Sequence, residues 1–283
     1  MYDIFKTVLL LSLMGFVVIF ILLLLKPFTA KKLPAAWQYF VWLAVAFAMI
    51  FPAHRLIPKT EAKKIPVVAN FEISSEENPE DIKIPAHEKI NAYSDMTFSD
   101  EVIFQKNVEK DAKKDFIKIL SPIWFFGVCI YLLFLLFDYF LFTYKSLKNS
   151  ESLSDTAILC NIKNKLNIKR KVKIRRLKKL GSPMLTGVFF PTIYLPDSDF
   201  SDKQLTMILL HELMHLKRND LAVKWFVQFV NAVHWFNPMC YLLSANLAEA
   251  CEISCDMKAT EKMDDDLQKI YMKTILELAE KEV

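Results

Sequence analysis

Glycine is nearly absent from this chain: 283 residues hold four, at positions 15, 127, 181 and 187. No phosphate-cradling loop or dinucleotide fingerprint can be built from so few, which excludes the nucleotide enzymes that rely on them. Cysteine is sparse too. Cys129, Cys160, Cys240, Cys251 and Cys255 avoid the polar segment 57–118 altogether. That distribution suits reduced thiols and excludes a disulfide framework. No internal repeat is evident, and a net charge of +4 does not recommend nucleic acid as a partner.

Apolar residues are abundant, at 53% with 23 phenylalanines, and they cluster. Val8 to Leu25 is an uncharged run of 18 residues, enough to cross a hydrocarbon core of about 30 Å. It is too long for a signal-peptide core and lacks a small-residue cleavage site, so it reads as a retained anchor. Trp37 to Pro52 reads as a second span and Ile119 to Thr143 as a third, with Asp138 near its interfacial end.

Charge orients these spans. The loop after the first carries Lys26, Lys31 and Lys32 and no acid, and ten Lys and Arg lie between Lys163 and Lys179. Both groups read as cytoplasmic, against a weaker opposite vote from Lys59, Lys63 and Lys64. The expected organisation is two transmembrane helices in 1–56, an extracytoplasmic loop in 57–118, a third helix in 119–143 and a cytoplasmic domain in 144–283. Pro58, Pro66, Pro79 and Pro85 punctuate the loop, which has no complete core and reads as extended or weakly ordered. It offers a place for a signal or a partner, or is a plain tether. Within the basic cluster, Val172 to Leu177 alternates apolar and basic as a half-exposed strand does. Contact with anionic lipid suits it better than direct nucleic-acid binding.

His211-Glu212-Leu213-Met214-His215 is the most informative motif. Histidines four apart share a helix face, so one Zn²⁺ can take both imidazoles, and Glu212 can accept the proton of a metal-bound water. Ser201 followed by Gln204 has the form of a capping box. Leu205, Ile208, Leu209, Leu213 and Leu216 then recur at helical spacing, and Asn219-Asp220 marks a break. The bland alternative is a pair of surface histidines on a charged helix.

A catalytic zinc needs a third protein ligand. Glu252 and Asp256 share a helix face, so one can bind metal while the other holds a ligand histidine by its free ring nitrogen. Glu249, three residues before Glu252, is the rival ligand. Cys251 and Cys255 have metal-ligand spacing as well, but thiolates would make a closed site, and they read as small buried residues. From Leu221 to Leu247 the chain is mostly apolar, with Lys224, Gln228 and Asn231 forming a polar stripe that suggests a wet cleft. His234 lies near that stripe. It either hydrogen-bonds the oxyanion of a tetrahedral intermediate or is a buried histidine held by a backbone carbonyl. Trp235 to Pro238 reads as an interfacial turn, and the stretch as a re-entrant, amphipathic helix.

Four ordered motifs resemble the bacterial BlaR/MecR-type membrane zinc metallopeptidases: HELMHLKRND at 211–220, His234-Trp235-Phe236-Asn237-Pro238, Glu252 to Asp256, and the stretch Ser182 to Pro196 upstream. The resemblance implies zinc held by His211, His215 and Glu252, Glu212 as general base, and Asp256 supporting a ligand from behind. It implies a protein substrate such as a winged-helix transcriptional repressor or the chain itself, a homo-oligomer as one assembly, and a multi-pass protein of the bacterial cytoplasmic membrane. Best-known members add a penicillin-binding sensor domain, which this sequence lacks, so antibiotic sensing is not carried over. The expected fold is α+β, a helical membrane bundle of three spans carrying a zincin-like metallopeptidase domain. Phe189 to Leu195 is expected to offer a sheet edge to an extended peptide. A housekeeping protease of the CAAX-prenyl-protease or HtpX type fits His234–Pro238 and Glu252–Asp256 less well, and a non-catalytic signalling protein is the third reading.

Overall fold

A computed structural model describes residues 1–52, 91–153, 157–178, 180–261 and 263–280, with side chains except at 30, 31, 91–115, 279 and 280. Three apolar helices come first: α1 (Tyr2–Lys32), α2 (Ala35–Ile50) and α3 (Asn91–Asn149). Among the described residues, α1 and the part of α3 from Phe116 to Asn149 are long and apolar enough to cross a membrane. Their large side chains point outward, with Leu13 65%, Phe134 70% and Phe140 69% exposed. A soluble protein would bury such a surface. α2 has 16 residues, short of the roughly 20 that a span requires. Two of the three expected spans are therefore present as candidates, and the other is a shorter apolar helix.

The segment 91–118, expected to be loop, belongs to α3. No proline or glycine occurs from Asn91 to Ser121, so nothing in its polar composition breaks a helix that the apolar span continues. Residues 57–90 of that expected loop lie outside the described residues.

A four-stranded sheet follows, made of β1 (Ser150–Leu153), β2 (Lys173–Leu177), β3 (Met184–Thr186) and β4 (Thr192–Pro196) in the order β1-β2-β4-β3. β2 and β4 are parallel, and the outer pairs are antiparallel. The alternation at Val172–Leu177 produces a strand with Val172 and Ile174 buried and Lys173 exposed. The expected edge is displaced. β4 is paired on both sides, so β1 and β3 are the edges, and Phe189 and Phe190 precede the strand instead of joining it.

Under the sheet, α4 (Ala157–Leu166) and α5 (Asp202–Arg218) close a core around Leu159, Ile162, Ile193, Leu209 and Leu213. Each such side chain contributes roughly 1.5–3 kcal/mol on full burial. A second core joins α1 and α2 to α6 (Asp220–Val233) and α7 (Pro238–Thr260) through Ile19, Trp42, Ala46, Val230 and Leu243. α8 (Asp265–Glu280) packs Tyr271 against Met207 and Ala259.

The residues from His234 to Asn237 form the turn between α6 and α7, and the turn is packed among the apolar helices. Asn237 caps α7 by accepting from the Met239 amide at 3.0 Å, and its own amide reaches the Ser12 carbonyl and hydroxyl on α1 at 3.1 and 2.9 Å. Trp235 lies on Gly127 of α3, where an added Cβ would stand 2.6 Å from the indole. This turn is thus a joint between helices, with Trp235 and Phe236 still partly exposed. The polar stripe is likewise spent on helix contacts: Gln228 accepts from Tyr131 at 3.1 Å and Asn231 bonds Ser244 at 2.7 Å. Lys224 and Gln228 also border a cavity of about 330 Å³ between α6 and α3, which Asp138 lines from the α3 side.

Candidate metal centre

α5 starts where the capping box places it. Ser201 Oγ accepts from the Gln204 amide at 3.3 Å, and Gln204 Oε1 accepts from the Ser201 amide at 3.1 Å. The helix stops at Asn219, whose φ of 59° is left-handed and whose N–H returns to His215 and Leu216. Asparagine tolerates that conformation better than most residues. The reversal starts α6 at once and brings Asp220 back beneath His215.

His211 and His215 meet Glu252 of α7 at one point. His211 Nε2 and His215 Nε2 are 3.1 Å apart, His215 Nε2 is 3.1 Å from Glu252 Oε2, and His211 Nε2 is 3.6 Å from it. Three donors on a tetrahedral zinc with bonds of about 2.0–2.1 Å are separated by about 3.3 Å. The triangle therefore fits zinc, with two neutral imidazoles and one carboxylate as donors. Glu249 is elsewhere: its carboxylate binds Lys26 of α1 at 2.7 Å.

Each histidine is held from behind. His215 Nδ1–H donates to Asp220 at 2.8 Å; Asp220 is fully buried and also contacts Arg218 and Tyr39, both at 3.3 Å. His211 Nδ1 faces Asp256 at 3.0 Å and the Tyr271 hydroxyl at 2.8 Å, while that hydroxyl donates to Asp256 at 2.6 Å. These bonds fix the tautomers that leave both Nε2 lone pairs for a metal. Asp256 occupies the supporting position expected of it. Asp220 and Tyr271 were not singled out as site residues in the sequence, although Asp220 lies five residues beyond His215 at the marked break. Lys224 stood out only as part of a stripe; its ammonium holds Glu252 Oε1 at 3.2 Å.

Electrostatics follow from this crowding. Burial lowers the pKa of His211, but bonds to Asp256 and Glu252 outweigh burial and push it up to about 10. Burial likewise opposes the charge on His215, and Asp220 above all reverses the balance, so its pKa is raised. Burial raises Glu252, yet the two histidines and Lys224 hold it far below the usual carboxylate range. For Glu212 burial wins, and the carboxyl is pushed up against the pull of both imidazoles. A buried carboxylate with raised basicity beside the donor triangle is suited to take a proton.

Two thiols lie close to the triangle, near enough to the same histidines to form further groups able to hold a metal. Cys255 Sγ lies within 4.8 Å of a ring nitrogen of each histidine, and Cys251 Sγ within 4.8 Å of a ring nitrogen of His215 and a carboxylate oxygen of Asp220. Cys255 Sγ faces the His211 carbonyl at 3.9 Å, and burial pushes the Cys251 thiol pKa up. Both are buried, as the reading of them as small buried residues expected.

His234 is not brought to this centre. It is fully buried at the far end of α6, with Nε2 on the Met49 carbonyl at 3.2 Å. Fourteen residues separate it from Asp220 along the helix, about 20 Å at 1.5 Å per residue. An oxyanion at the donor triangle is beyond its reach, so the backbone-held alternative is the one realised.

The sequence profile of the BlaR1 peptidase M56 family matches residues 6–283. The regulatory protein BlaR1 of Bacillus licheniformis is 31% identical over 178 residues, covering 61% of this chain and 30% of that protein. The methicillin resistance mecR1 protein of Staphylococcus aureus is 24% identical over 224 residues, covering 76% of this chain and 36% of that protein, and the mecR1 protein of Staphylococcus epidermidis gives the same figures. The chain thus matches about a third of the length of these curated relatives. With that match along nearly its whole length, the chain belongs to the BlaR1 peptidase M56 family.

Proposed function

We propose that this protein is a regulatory membrane zinc endopeptidase of the gluzincin type, which hydrolyses a cytoplasmic repressor-like protein or itself. The observation that carries the reading is the triangle of His211 Nε2, His215 Nε2 and Glu252 Oε2, with separations of 3.1, 3.1 and 3.6 Å. Zinc, when bound, supplies Lewis acidity for the attacking water and the scissile carbonyl. Glu212 takes the water's proton on its buried carboxylate and returns it to the leaving amine. Asp220 and Asp256 keep each imidazole aligned. Lys224 anchors the Glu252 oxygen that does not face the histidines. An extended substrate would pair with β3, the edge strand that contacts α5.

The domain reading goes with it. Residues 1–56 supply two membrane helices, 57–118 the extracytoplasmic segment, 119–143 the third membrane helix, and 144–283 a catalytic domain facing the cytoplasm. The inward orientation rests on Lys26, Lys31, Lys32 and the basic cluster Lys163–Lys179. Similarity to the regulatory protein BlaR1 favours a regulatory over a housekeeping protease. Glu212→Gln is the deciding variant: it should retain zinc while losing proteolysis, because an amide cannot accept the proton. Full proteolysis by Glu212→Gln would overturn the assignment.

A further inference from the structure

The two most exposed large apolar residues among those described are neighbours: Phe189 at 84% and Phe190 at 85%. They form the tip of the β3–β4 hairpin, and that tip is built rigidly. Gly187 turns the chain with φ of +84°, and a Cβ there would run into the Phe190 carbonyl. The Arg170 guanidinium donates to the carbonyls of Val188 and Phe189, and the Lys173 amide donates to the Pro191 carbonyl at 3.0 Å. Two phenyl rings are thus held in solvent by a fixed backbone, at the cost of keeping apolar surface wet.

The same bonds tie the tip to exposed cations. Lys169, Lys171 and Lys173 are exposed, and none has an ion-pair partner among the described residues. No acid occurs between Asp155 and Asp197. The acids that do pair with this segment sit at the other end of the strands, Asp197 with Arg176 and Glu151 with Lys178. An aromatic pair rimmed by unopposed lysines fits an anionic bilayer surface, where apolar tips enter and cations meet headgroups.

The position of the sheet agrees. Across the strands at one level, Arg175 of β2 donates to the Leu147 carbonyl of α3 at 3.2 Å, and Tyr194 of β4 meets Phe142 with ring centroids 6.5 Å apart. The sheet therefore climbs α3 from its end toward its apolar part. β3 comes next in the order, one strand spacing of about 4.8 Å beyond β4, equivalent to about three residues of α3. That level borders Phe137 and Phe140, which are 65% and 69% exposed.

We infer that the β3–β4 hairpin docks on the membrane, with Phe189 and Phe190 inserted at the interface and Lys169, Lys171 and Lys173 on anionic headgroups. The inference rests on α3 spanning the bilayer, as the proposed function has it, and not on the metal chemistry. Docking would hold the edge strand β3 beside the bilayer and so favour substrates whose scissile segment lies close to the membrane.

The test uses the full chain in nanodiscs of zwitterionic lipid with an anionic fraction. The background is Cys129→Ser with Cys160→Ser, since the other three cysteines are buried. An environment-sensitive fluorophore is placed on a single introduced cysteine at Phe190, at Phe134 on α3, or at Asp199 beyond the opposite end of the strands. Blue-shifted emission quenched by spin-labelled lipid is expected at 190 and 134 but not at 199. Replacing the anionic lipid, or Lys169, Lys171 and Lys173 by Gln, should reduce quenching at 190 alone, by roughly fivefold in occupancy per lysine. Quenching at 134 without quenching at 190 overturns the docking and leaves the span intact. Loss of quenching at both overturns the membrane reading itself. A blue shift at 190 that lipid spin labels do not quench assigns the tip to a protein partner, a second copy or a substrate, and also overturns it.

Discussion

Replacing Asp220 with Asn keeps the side chain's shape and removes its charge, which isolates what the carboxylate does for His215. The bond from His215 Nδ1 is 2.8 Å long, and Asp220 is completely buried, so no water can take its place. A hydrogen bond to a charged partner is worth about 1.5–3 kcal/mol. Without it the imidazole loses both its fixed tautomer and part of the basicity of Nε2. At 1.4 kcal/mol per decade, zinc should bind about 10–100-fold more weakly, the range seen when partners behind metal ligands are removed. Asp256 supports His211 in the same way, but its side chain is 39% exposed. Water can substitute there, so Asp256→Asn should cost about tenfold or less. Arg218 keeps a hydrogen bond to Ser254 at 2.8 Å when Asp220 is neutralised, so the fold should survive. Competition with a chromophoric chelator on the detergent-solubilised chain at neutral pH measures both constants, and circular dichroism checks the fold. The reasoning is refuted if Asp256→Asn weakens zinc as much as Asp220→Asn, or if Asp220→Asn binds zinc like the unaltered chain.

Three further outcomes are expected. Glu252→Ala should abolish zinc binding at micromolar metal, whereas Glu249→Ala should leave it and only loosen α1 from α7 by releasing Lys26; metal analysis showing the opposite would mean that the wrong carboxylate has been assigned. Zinc affinity should rise with pH throughout the range below about 10, because His211 carries a proton up to about 10 and the pKa of His215 is raised as well, so that zinc must displace these protons, at up to about tenfold per pH unit for each proton released; a flat profile between about 6 and 9 would contradict the bonding described for the two histidines. Single cysteines at Ser75 and Ser201, in a background without the native five, should react differently with an impermeant thiol reagent on intact cells, 75 labelled and 201 not until the membrane is opened; the reverse would invert the topology.

The local features of the site were legible in the sequence. Four-residue spacing of His211 and His215, the capping box at Ser201, and the shared face of Glu252 and Asp256 all depend on helix periodicity, and the structure has each. The apolar runs marked α1, α2 and the apolar part of α3 for the same reason, since composition over a window is local information. Where the sequence left two carboxylates open, only packing chose between them. Glu249 and Glu252 lie on nearly one face of α7, and the docking of α1 gives Glu249 to Lys26 and leaves Glu252 to the histidines.

The remaining errors share one physical origin. β4 looked like an edge strand because pairing partners are nonlocal, and β2 and β3 cover both its sides. His234 looked near the site because the stripe on α6 is continuous, but the helix carries it to Met49 at the other end. Asp220 gave no signal beyond a helix break, since its role comes from a left-handed Asn219 that folds it back under His215. Periodicity in the sequence determined which faces carry metal-binding and apolar side chains. Tertiary structure decided what each face meets, because donors far apart in the chain converge only when two helices pack at a particular register.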